Sequence, residues 1–173
     1  MWGVRSIIQC NVGKCGEKGV IVFLGANTLN LDAKGRLAIP VKYRKELGAS
    51  DGSGVVVTIN PYERCLWLYP ESEWQEVAQK VMRLPALKKQ NKNLQRLLLG
   101  HASELELDGQ GRILLSNSLR EYAGMDKQVA LVGQGRKFEI WNEQQWFTNR
   151  EEWLGDIDQP ESEMSEELAN LAL

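Results

Sequence analysis

The apolar positions of the chain follow two kinds of spacing, and each kind predicts a different element. Short runs in which apolar residues alternate or follow one another without a break, such as residues 55–59 and 129–132, predict strands. Over residues 74–82 the apolar positions recur every three or four residues, which predicts one face of a helix. The combination of many short strands with separate helices predicts an α+β protein.

One stretch of this pattern occurs twice. Residues 31–40 read LDAKGRLAIP and residues 107–116 read LDGQGRILLS, and the correspondence continues to Arg44 with Arg120 and to Gly48 with Gly124. Each copy predicts a strand, a tight turn, a second strand, a short helix and two further strands. The first copy has predicted strands at 27–31, 36–39, 55–59 and 65–69 and a helix at 41–47; the second has strands at 103–107, 112–115, 129–132 and 138–141 and a helix at 117–123.

A helical hairpin is predicted between the two copies. Its first helix carries the apolar stripe of residues 74–82 and is broken by Pro85, because proline cannot continue a helix. Leu87, Leu94, Leu97 and Leu98 predict a second helix, which Gly100 ends. We therefore divide the chain into an extension at 1–21, a first domain at 26–69, a helical connector at 70–101, a second domain at 102–145 and an acidic tail at 146–173.

Composition excludes several classes of protein. Of the 173 residues, 43% are hydrophobic and 25% are charged, which is ordinary for a globular protein. The longest apolar stretch, residues 19–26, is far shorter than the roughly 20 residues of a membrane-spanning helix. Three cysteines are too few for a disulfide framework, and an odd number cannot all be paired within one chain. We therefore expect a cytoplasmic protein that does not span a membrane.

The net charge of −2 conceals an uneven distribution. From Arg150 to the end of the chain there are eight acids and one base, so the tail carries −7 and the rest of the chain +5. Residues 80–96 hold six bases and no acid, and residues 32–50 hold five bases and two acids. Such clusters are compatible with a polyanionic partner, although solvated helix faces explain them equally well.

The repeated turn has the residues that a DNA-reading loop needs. Glycine supplies the positive φ of a tight turn, and an aspartate at its entrance can accept backbone N–H groups. An arginine four residues later then projects from a rigid tip, where its planar fork can bind phosphate oxygens or the O6/N7 edge of guanine. We expect DNA contacts from Arg36, Lys34, Lys42 and Arg44 in the first copy and from Arg112 in the second, with Asp32, Gly35, Asp108 and Gly111 bracing the turns. The alternative is an Asp–Arg ion pair that only holds the turn.

The repeated string resembles the strand–turn–strand of AbrB-like, swapped-hairpin DNA-binding domains. Two such units, with the sequence RLLLGHAS at 96–103 before the second, resemble the MraZ family of transcriptional regulators from about residue 23 to the end of the chain. The resemblance implies two swapped-hairpin modules that assemble into a homo-oligomeric ring. It further implies binding to short tandem repeats of double-stranded DNA upstream of the family's own operon, in the division and cell-wall gene cluster, and association with the nucleoid. The family pattern has no counterpart to residues 1–21, and valine can be encoded by the alternative start codon GUG, so we expect the protein to begin at Val22.

Two other classes of function are alternatives to a DNA-binding regulator. A protein-interaction module, either an AbrB-like antitoxin or a ring scaffold, is the main alternative, although two domains with a helical insert differ from an antitoxin with one domain and a flexible tail. An enzyme is disfavoured because the sequence shows no activated nucleophile or acid–base pair, and His101 is the only histidine. Cys10 and Cys15 lack the further ligands of a zinc site, so we expect no metal, no cofactor and no small-molecule substrate.

Overall fold

The computed structural model describes residues 22–49 and 54–157. Its strands and helices follow the predicted order and confirm the α+β class. Residues 1–21, with Cys10 and Cys15, and residues 158–173 of the acidic tail lie outside the described residues. The elements are β1 (Ala26–Asn30), β2 (Arg36–Ala38), α1 (Val41–Arg44), β3 (Val55–Ile59), β4 (Leu66–Pro70), α2 (Glu71–Met82), α3 (Lys89–Gly100), β5 (Ser103–Leu105), β6 (Arg112–Leu114), α4 (Asn117–Tyr122), β7 (Gln128–Gly133), β8 (Phe138–Asn142) and α5 (Glu143–Ile157).

Most element bounds agree with the sequence prediction to within one or two residues, and β3 agrees at both ends. The short helix of the first copy differs in form, because the segment that follows α1, Lys45–Ala49, contains two residues with non-helical angles, Leu47 with φ of −90° and ψ of 16° and Gly48 with φ of +86°. The chain thus leaves the helical path before Gly48, and it leaves α4 at the equivalent Gly124, with φ of +55°. Glycine adopts these angles without a clash of a Cβ with the backbone, so both predicted helix ends are confirmed.

The two copies exchange strands and form one antiparallel sheet in the order β1-β7-β8-β4-β3-β5. β1 of the first copy pairs with β7 of the second, and β5 of the second copy pairs with β3 of the first. At the centre of the sheet β4 pairs with β8, which is its own counterpart in the other copy. Interchanging the copies therefore leaves the set of pairings unchanged, as expected for a pseudo-twofold arrangement.

A two-stranded ribbon stands apart from this sheet. In it β2 pairs with β6, with Arg36 opposite Leu114, Leu37 opposite Ile113 and Ala38 opposite Arg112. Leu37 and Ile113 are fully buried on the face that meets the sheet. Because residues alternate between the two faces of a strand, Arg36, Ala38, Arg112 and Leu114 share the outer face.

The sheet separates two layers. Its inner face carries Val55, Val57, Leu131 and Ile140, among others, and these pack against the ribbon, α1 and α4 in one core that both copies build. The opposite face is covered in two places. Helices α2 and α3 pack over β3 and β4, where Thr58 donates a hydrogen bond of 2.7 Å to the backbone oxygen of Leu98.

The second cover is α5, which packs over β7 and β8. Trp146 and Trp153 of this helix pack against the fully buried Trp141 of the sheet, the first ring tilted and the second edge-on, with ring centroids 6.2 and 5.7 Å away. The predicted helical hairpin is thus present as α2 and α3, and α5 is the counterpart of α2. None of the helices in the described ranges is both long enough and apolar enough to cross a bilayer.

Candidate nucleic-acid interface

The turn between β1 and β2 is held by a single carboxylate. Oδ1 of Asp32 accepts hydrogen bonds from the backbone N–H groups of Lys34, at 2.9 Å, and Arg36, at 3.0 Å, while Oδ2 accepts the Nε–H of Arg36 at 2.6 Å. Gly35 takes φ of +81° at the tip, a conformation that residues with a Cβ rarely adopt. The aspartate therefore fixes both the backbone of the turn and the arginine side chain.

The second turn repeats this arrangement. Oδ1 of Asp108 accepts the backbone N–H groups of Gln110 at 2.9 Å and Arg112 at 3.0 Å, and Oδ2 accepts the Nε–H of Arg112 at 2.8 Å. Gly111 has φ of +73°. The structure places Asp32 and Gly35 in the first turn and Asp108 and Gly111 in the second, the four residues for which the sequence analysis predicts a bracing role.

The hydrogen bonds stabilise the charged form of each aspartate. Donation from the guanidinium and the backbone N–H of Arg112 lowers the pKa of Asp108 to about 2. The pKa of Asp32 is also lowered, chiefly by the backbone N–H of Arg36 and less by its side chain. Both carboxylates are consequently ionised at neutral pH, and each forms an ion pair with the arginine of its own turn.

Each turn is attached to the other copy of the repeat. The backbone oxygen of Gly35 accepts the N–H of Leu115 at 3.0 Å, and that of Gly111 accepts the N–H of Ile39 at 2.9 Å. These bonds continue the β2–β6 ladder into both turns, so that one turn lies at each end of the ribbon. The two turns are therefore parts of one rigid unit.

Two further arginines, Arg44 and Arg120, also connect each copy to the turn of the other. Arg44 donates its Nε–H to the backbone oxygen of Ile39 at 2.7 Å, and its guanidinium lies where a Cβ on Gly111 would be. Arg120, the counterpart of Arg44, lies in the same way against Gly35, where a Cβ would come within 2.8 Å of its Cζ. Each copy thus supplies an arginine that packs against the glycine of the other copy's turn.

The outer face of the ribbon brings the two braced arginines together. Arg36 and Arg112 are diagonal neighbours across the β2–β6 pair, a relation that places Cα atoms about 7–8 Å apart. Their side chains are 30% and 25% exposed, and the face between them carries the exposed Ala38 and the 54% exposed Leu114. The arrangement is a small exposed surface with an arginine on each strand.

The ion pairs leave part of each guanidinium available to a ligand. An arginine has five N–H donors in a planar fork. Asp32 engages the Nε–H of Arg36, while Asp108 engages the Nε–H of Arg112 and also lies 2.7 Å from its Nη2. The remaining Nη–H donors can meet two acceptors side by side, as on a phosphate or on the O6 and N7 atoms of guanine.

The other predicted DNA contacts differ in position. Lys34 is exposed at the tip of the first turn, where the second copy has Gln110. Lys42 is exposed on α1, with its Nζ 4.6 Å from the ring centroid of Tyr43. Arg44 is half-buried, and its Nε is engaged by the backbone as described above. The structure therefore gathers Lys34 and the two turn arginines around the ribbon and places Arg44 beneath the second turn.

Two residues of this site are not identified by the sequence alone. The sequence shows Arg120 only as the match of Arg44, and its position against Gly35 depends on the exchange of strands between the copies. The sequence predicts only an apolar strand at Leu114, and its 54% exposure follows from its place opposite Arg36 on the outer face. The alternation of faces along residues 112–115 was the signal that could have identified it.

One cluster of metal-ligating residue types lies away from the ribbon. A ligand atom of each of Glu63, Cys65 and Glu139 lies within 4.8 Å of the others. Burial raises the pKa of the Cys65 thiol, which disfavours the thiolate that binds metals. The carboxylate of Glu139 accepts hydrogen bonds from the indole N–H groups of Trp67 and Trp141. Hydrogen bonding within the protein accounts for this cluster.

Comparison with known proteins identifies relatives across both copies. A sequence profile of the family described as MraZ protein, with a proposed likeness to antitoxins, matches residues 22–97 and 98–166. The protein named transcriptional regulator MraZ of Halorhodospira halophila (strain DSM 244 / SL1) is 49% identical over 152 residues, which are 88% of this chain and 100% of that protein. The protein of the same name from Methylococcus capsulatus (strain ATCC 33009 / NCIMB 11132 / Bath) is 53% identical over 133 residues, 77% of this chain and 87% of that protein.

Proposed function

Because the chain belongs to the MraZ family, with relatives named as transcriptional regulators, we propose that it regulates transcription by binding duplex DNA with the outer face of its β2–β6 ribbon. One observation carries the proposal: two arginines, each oriented by its own aspartate, share the exposed face of a rigid two-stranded ribbon. A structural role alone does not require that both arginines lie on the outer face.

The shape of the surface suits the major groove. B-DNA has a major groove about 12 Å wide, which admits a two-stranded antiparallel ribbon. In this groove the Nη donors of Arg36 and Arg112 reach guanine edges or the flanking phosphates, and Leu114 contacts the methyl group of a thymine. The exchange of strands between the copies supports the assignment of the ribbon to the swapped-hairpin, AbrB-like class.

The first copy contributes more positive charge to binding. Lys34 adds a cation at its turn, whereas Gln110 at the second turn is neutral. Lys42, on the helix that follows, likewise has Ser118 as its counterpart. We infer that Arg36 and Lys34 make the stronger phosphate contacts, that Lys42 supports them, and that Arg112 is secondary. Arg44 acts mainly by holding the second turn in place.

The target of this surface is a set of short tandem repeats upstream of the protein's own operon. A homo-oligomeric ring presents the same ribbon once per subunit, so several weak contacts combine through a high effective concentration. This assembly explains how a chain of net charge −2 binds a polyanion, since affinity follows the local field at each ribbon. Binding of this kind also places the protein on the nucleoid.

A mobility-shift titration tests the proposal. The probe is a duplex from upstream of the protein's own gene, and a shuffled duplex of equal length measures non-specific binding. Loss of one arginine contact costs about 1–3 kcal/mol in one subunit. Because the loss recurs in every bound subunit, Arg36→Ala is expected to weaken binding by at least about tenfold. Arg112→Ala is expected to have a smaller effect.

A matched control separates the ribbon from a general loss of charge. Arg136 is also exposed and ion-paired, with Glu73 and Glu76, but it lies at the turn between β7 and β8. Arg136→Ala is expected to leave the affinity for DNA unchanged. Equal affinities of the Arg36→Ala, Arg136→Ala and unmodified proteins at the same salt concentration would refute the role of the ribbon.

Salt dependence distinguishes DNA from a protein partner. The family is described as having a proposed likeness to antitoxins, which keeps a protein-interaction module as the second candidate. For binding through phosphates, the logarithm of the association constant falls linearly with the logarithm of the salt concentration, with a slope of about −0.9 for each phosphate contact. An apolar protein interface responds little. A flat salt profile, or the absence of any shift, would favour the second candidate.

A further inference from the structure

The hairpin of α2 and α3 carries a group of exposed cations. Residues 80–96 hold six bases and no acid, and all six side chains are exposed. The ion pairs formed within the described residues involve none of them. The acids of the hairpin lie in the first six residues of α2, and two of these acids are engaged by Arg136. We call the six bases the basic hairpin surface: Lys80, Arg83, Lys88, Lys89, Lys92 and Arg96.

The charges of α3 work against the stability of the helix itself. Cations are favourable at the C-terminal end of a helix and unfavourable at its N-terminal end. α3 has Lys88 at its N-cap and Lys89 in its first turn, with no acid in that turn and no base in its last turn. Lys89, Lys92 and Arg96 also follow one another at intervals of three and four residues, where like charges repel. A polyanion that lies along the helix relieves these repulsions.

The basic hairpin surface lies on the opposite side of the sheet from the ribbon. The hairpin packs over β3 and β4, where Leu98 joins Val56 and Tyr69 in one cluster. The ribbon packs on the other face of the sheet through Leu37 and Ile113. Duplex DNA has a persistence length of about 150 base pairs, so a short operator held by the ribbon does not bend round to the hairpin. A ligand of the hairpin is therefore separate from the DNA segment at the ribbon.

We propose that the basic hairpin surface binds the phosphate backbone of a second segment of duplex DNA, independently of its sequence. Lys89 and Arg96 are seven residues apart, which is about 10 Å along α3. A strand of B-DNA has one phosphate about every 3.4 Å along its axis, so the bases of α3 span about three phosphates. Contacts of this kind carry no sequence information. The inference goes beyond the proposed function, because a copy that holds an operator with its ribbon then holds a distant stretch of DNA with its hairpin.

Two variants of the full chain test the second DNA site. One carries Lys89→Gln, Lys92→Gln and Arg96→Gln and loses three charges. The other carries Lys89→Arg, Lys92→Arg and Arg96→Lys, keeps all three charges and is the matched control. Glutamine, lysine and arginine have similar helix propensities, and the glutamine variant also loses the repulsion between like charges. Its midpoint of urea unfolding is therefore expected to be unchanged or raised, so that a loss of DNA binding does not come from unfolding.

A capture assay detects the second segment directly. The operator duplex is attached to beads and saturated with protein, unbound protein is washed away, and a labelled duplex of shuffled sequence is added at fixed salt. The unmodified protein and the charge-preserving control are expected to capture the labelled duplex. The glutamine variant is expected to bind the operator as before and to capture at least about tenfold less of the second duplex, since three phosphate contacts are lost.

The salt dependence of binding counts the contacts. Arg36→Ala and Arg112→Ala together remove the ribbon arginines, and in that background the shuffled duplex is titrated at several salt concentrations. The three glutamine substitutions are expected to reduce the steepness of the log–log salt dependence by about 2.7, which is about 0.9 for each phosphate contact. The charge-preserving substitutions are expected to leave it unchanged. An equal steepness with and without the three charges would overturn the proposal.

Other results of the capture assay would also overturn the second site. Equal capture by the glutamine variant would mean that ribbons of different subunits hold the two duplexes. No capture by the unmodified protein would favour an acidic protein segment as the partner of the hairpin. A parallel loss of operator binding, or a fall in the molar mass of the glutamine variant, would assign these bases to the operator complex or to a contact between copies.

The ribbon and the hairpin can fail separately in these experiments. If Arg36→Ala leaves operator binding unchanged while the glutamine variant loses capture, only the proposed role of the ribbon is wrong. If Arg36→Ala weakens operator binding and the glutamine variant still captures the second duplex, only the proposed role of the hairpin is wrong.

Discussion

Replacement of Gly35 by alanine tests whether the two copies hold each other's turns. Gly35 has φ of +81°, and a Cβ at this position would come within 2.8 Å of both Nε and Cζ of Arg120. Gly124 is a matched control, because it also has a positive φ, of +55°, but a Cβ there meets no atom within 4 Å. Both substitutions impose backbone strain, and only Gly35→Ala displaces an arginine of the other copy.

The expected magnitudes follow from these contacts. A residue with a Cβ in the left-handed region costs about 1–2 kcal/mol, which applies to both positions. At Gly35 the guanidinium of Arg120 must also move, and it loses the 3.2 Å bond from Nε to the backbone oxygen of Leu115. For a charged donor that is half-buried, this loss adds about 1–2 kcal/mol. Gly35→Ala is therefore expected to cost about 2–4 kcal/mol and Gly124→Ala about 1–2 kcal/mol.

Urea unfolding, followed by circular dichroism at one protein concentration, gives both free energies, and a double-mutant cycle isolates the contact. Fixed concentration matters because association shifts the apparent stability of an oligomer. In an Arg120→Ala background the cost of Gly35→Ala is expected to fall to that of Gly124→Ala, since no guanidinium remains to be displaced. Equal costs of the two glycine substitutions in the unmodified protein, or an unchanged cost of Gly35→Ala without Arg120, would refute the exchange of arginines.

Three further predictions concern acid stability, a buried thiol and a buried hydroxyl. The pKa of Asp108 is about 2 in the folded protein, below its ordinary value of 3.8, so the stability that its ionised form contributes is present above about pH 4 and is lost as the pH falls toward 2. The difference in the free energy of unfolding between the unmodified protein and Asp108→Asn, measured in urea, is therefore expected to shrink over that interval. Cys65 is fully buried with a raised pKa, so in a protein whose two other cysteines are serine, Ellman's reagent is expected to react at pH 8 only after denaturation. Thr58→Val removes the buried bond to Leu98 and is expected to cost about 1 kcal/mol in urea unfolding.

Local features of the fold were predictable because they depend on neighbouring residues. Continuous apolar residues identify β3 at Val55–Ile59, which is buried on both faces between the two layers. Proline and glycine mark the helical hairpin, with Pro85 before α3 and Gly100 at its end. The spacing from Asp32 to Arg36 predicts a braced turn, and in the structure Oδ1 and Oδ2 of Asp32 accept hydrogen bonds from the backbone and the side chain of Arg36.

The pairing of strands between the copies was beyond the reach of the same reasoning. β3 and β7 have similar apolar patterns because they are copies of one another, so the pattern of β1 fits either as a partner. The tertiary structure as a whole determines which strand is the partner: β1 pairs with β7, and β5 pairs with β3. The position of Arg44 depends on that choice. A basic residue near a turn predicts a phosphate contact, whereas the exchanged strands bring its guanidinium against Gly111.

The pattern of similarity between the copies separates the residues that build the fold from those that carry the proposed functions. Asp32, Gly35 and Arg36 have identical counterparts at the second turn, because each turn must close on the other for the ribbon to form. The surfaces have no such requirement and differ: the counterpart of Lys34 is Gln110, and the counterpart of Lys42 is Ser118. The pseudo-twofold symmetry of the fold and the asymmetry of its charges thus serve different ends: the first builds the ribbon, and the second underlies the unequal phosphate contacts proposed for the two turns.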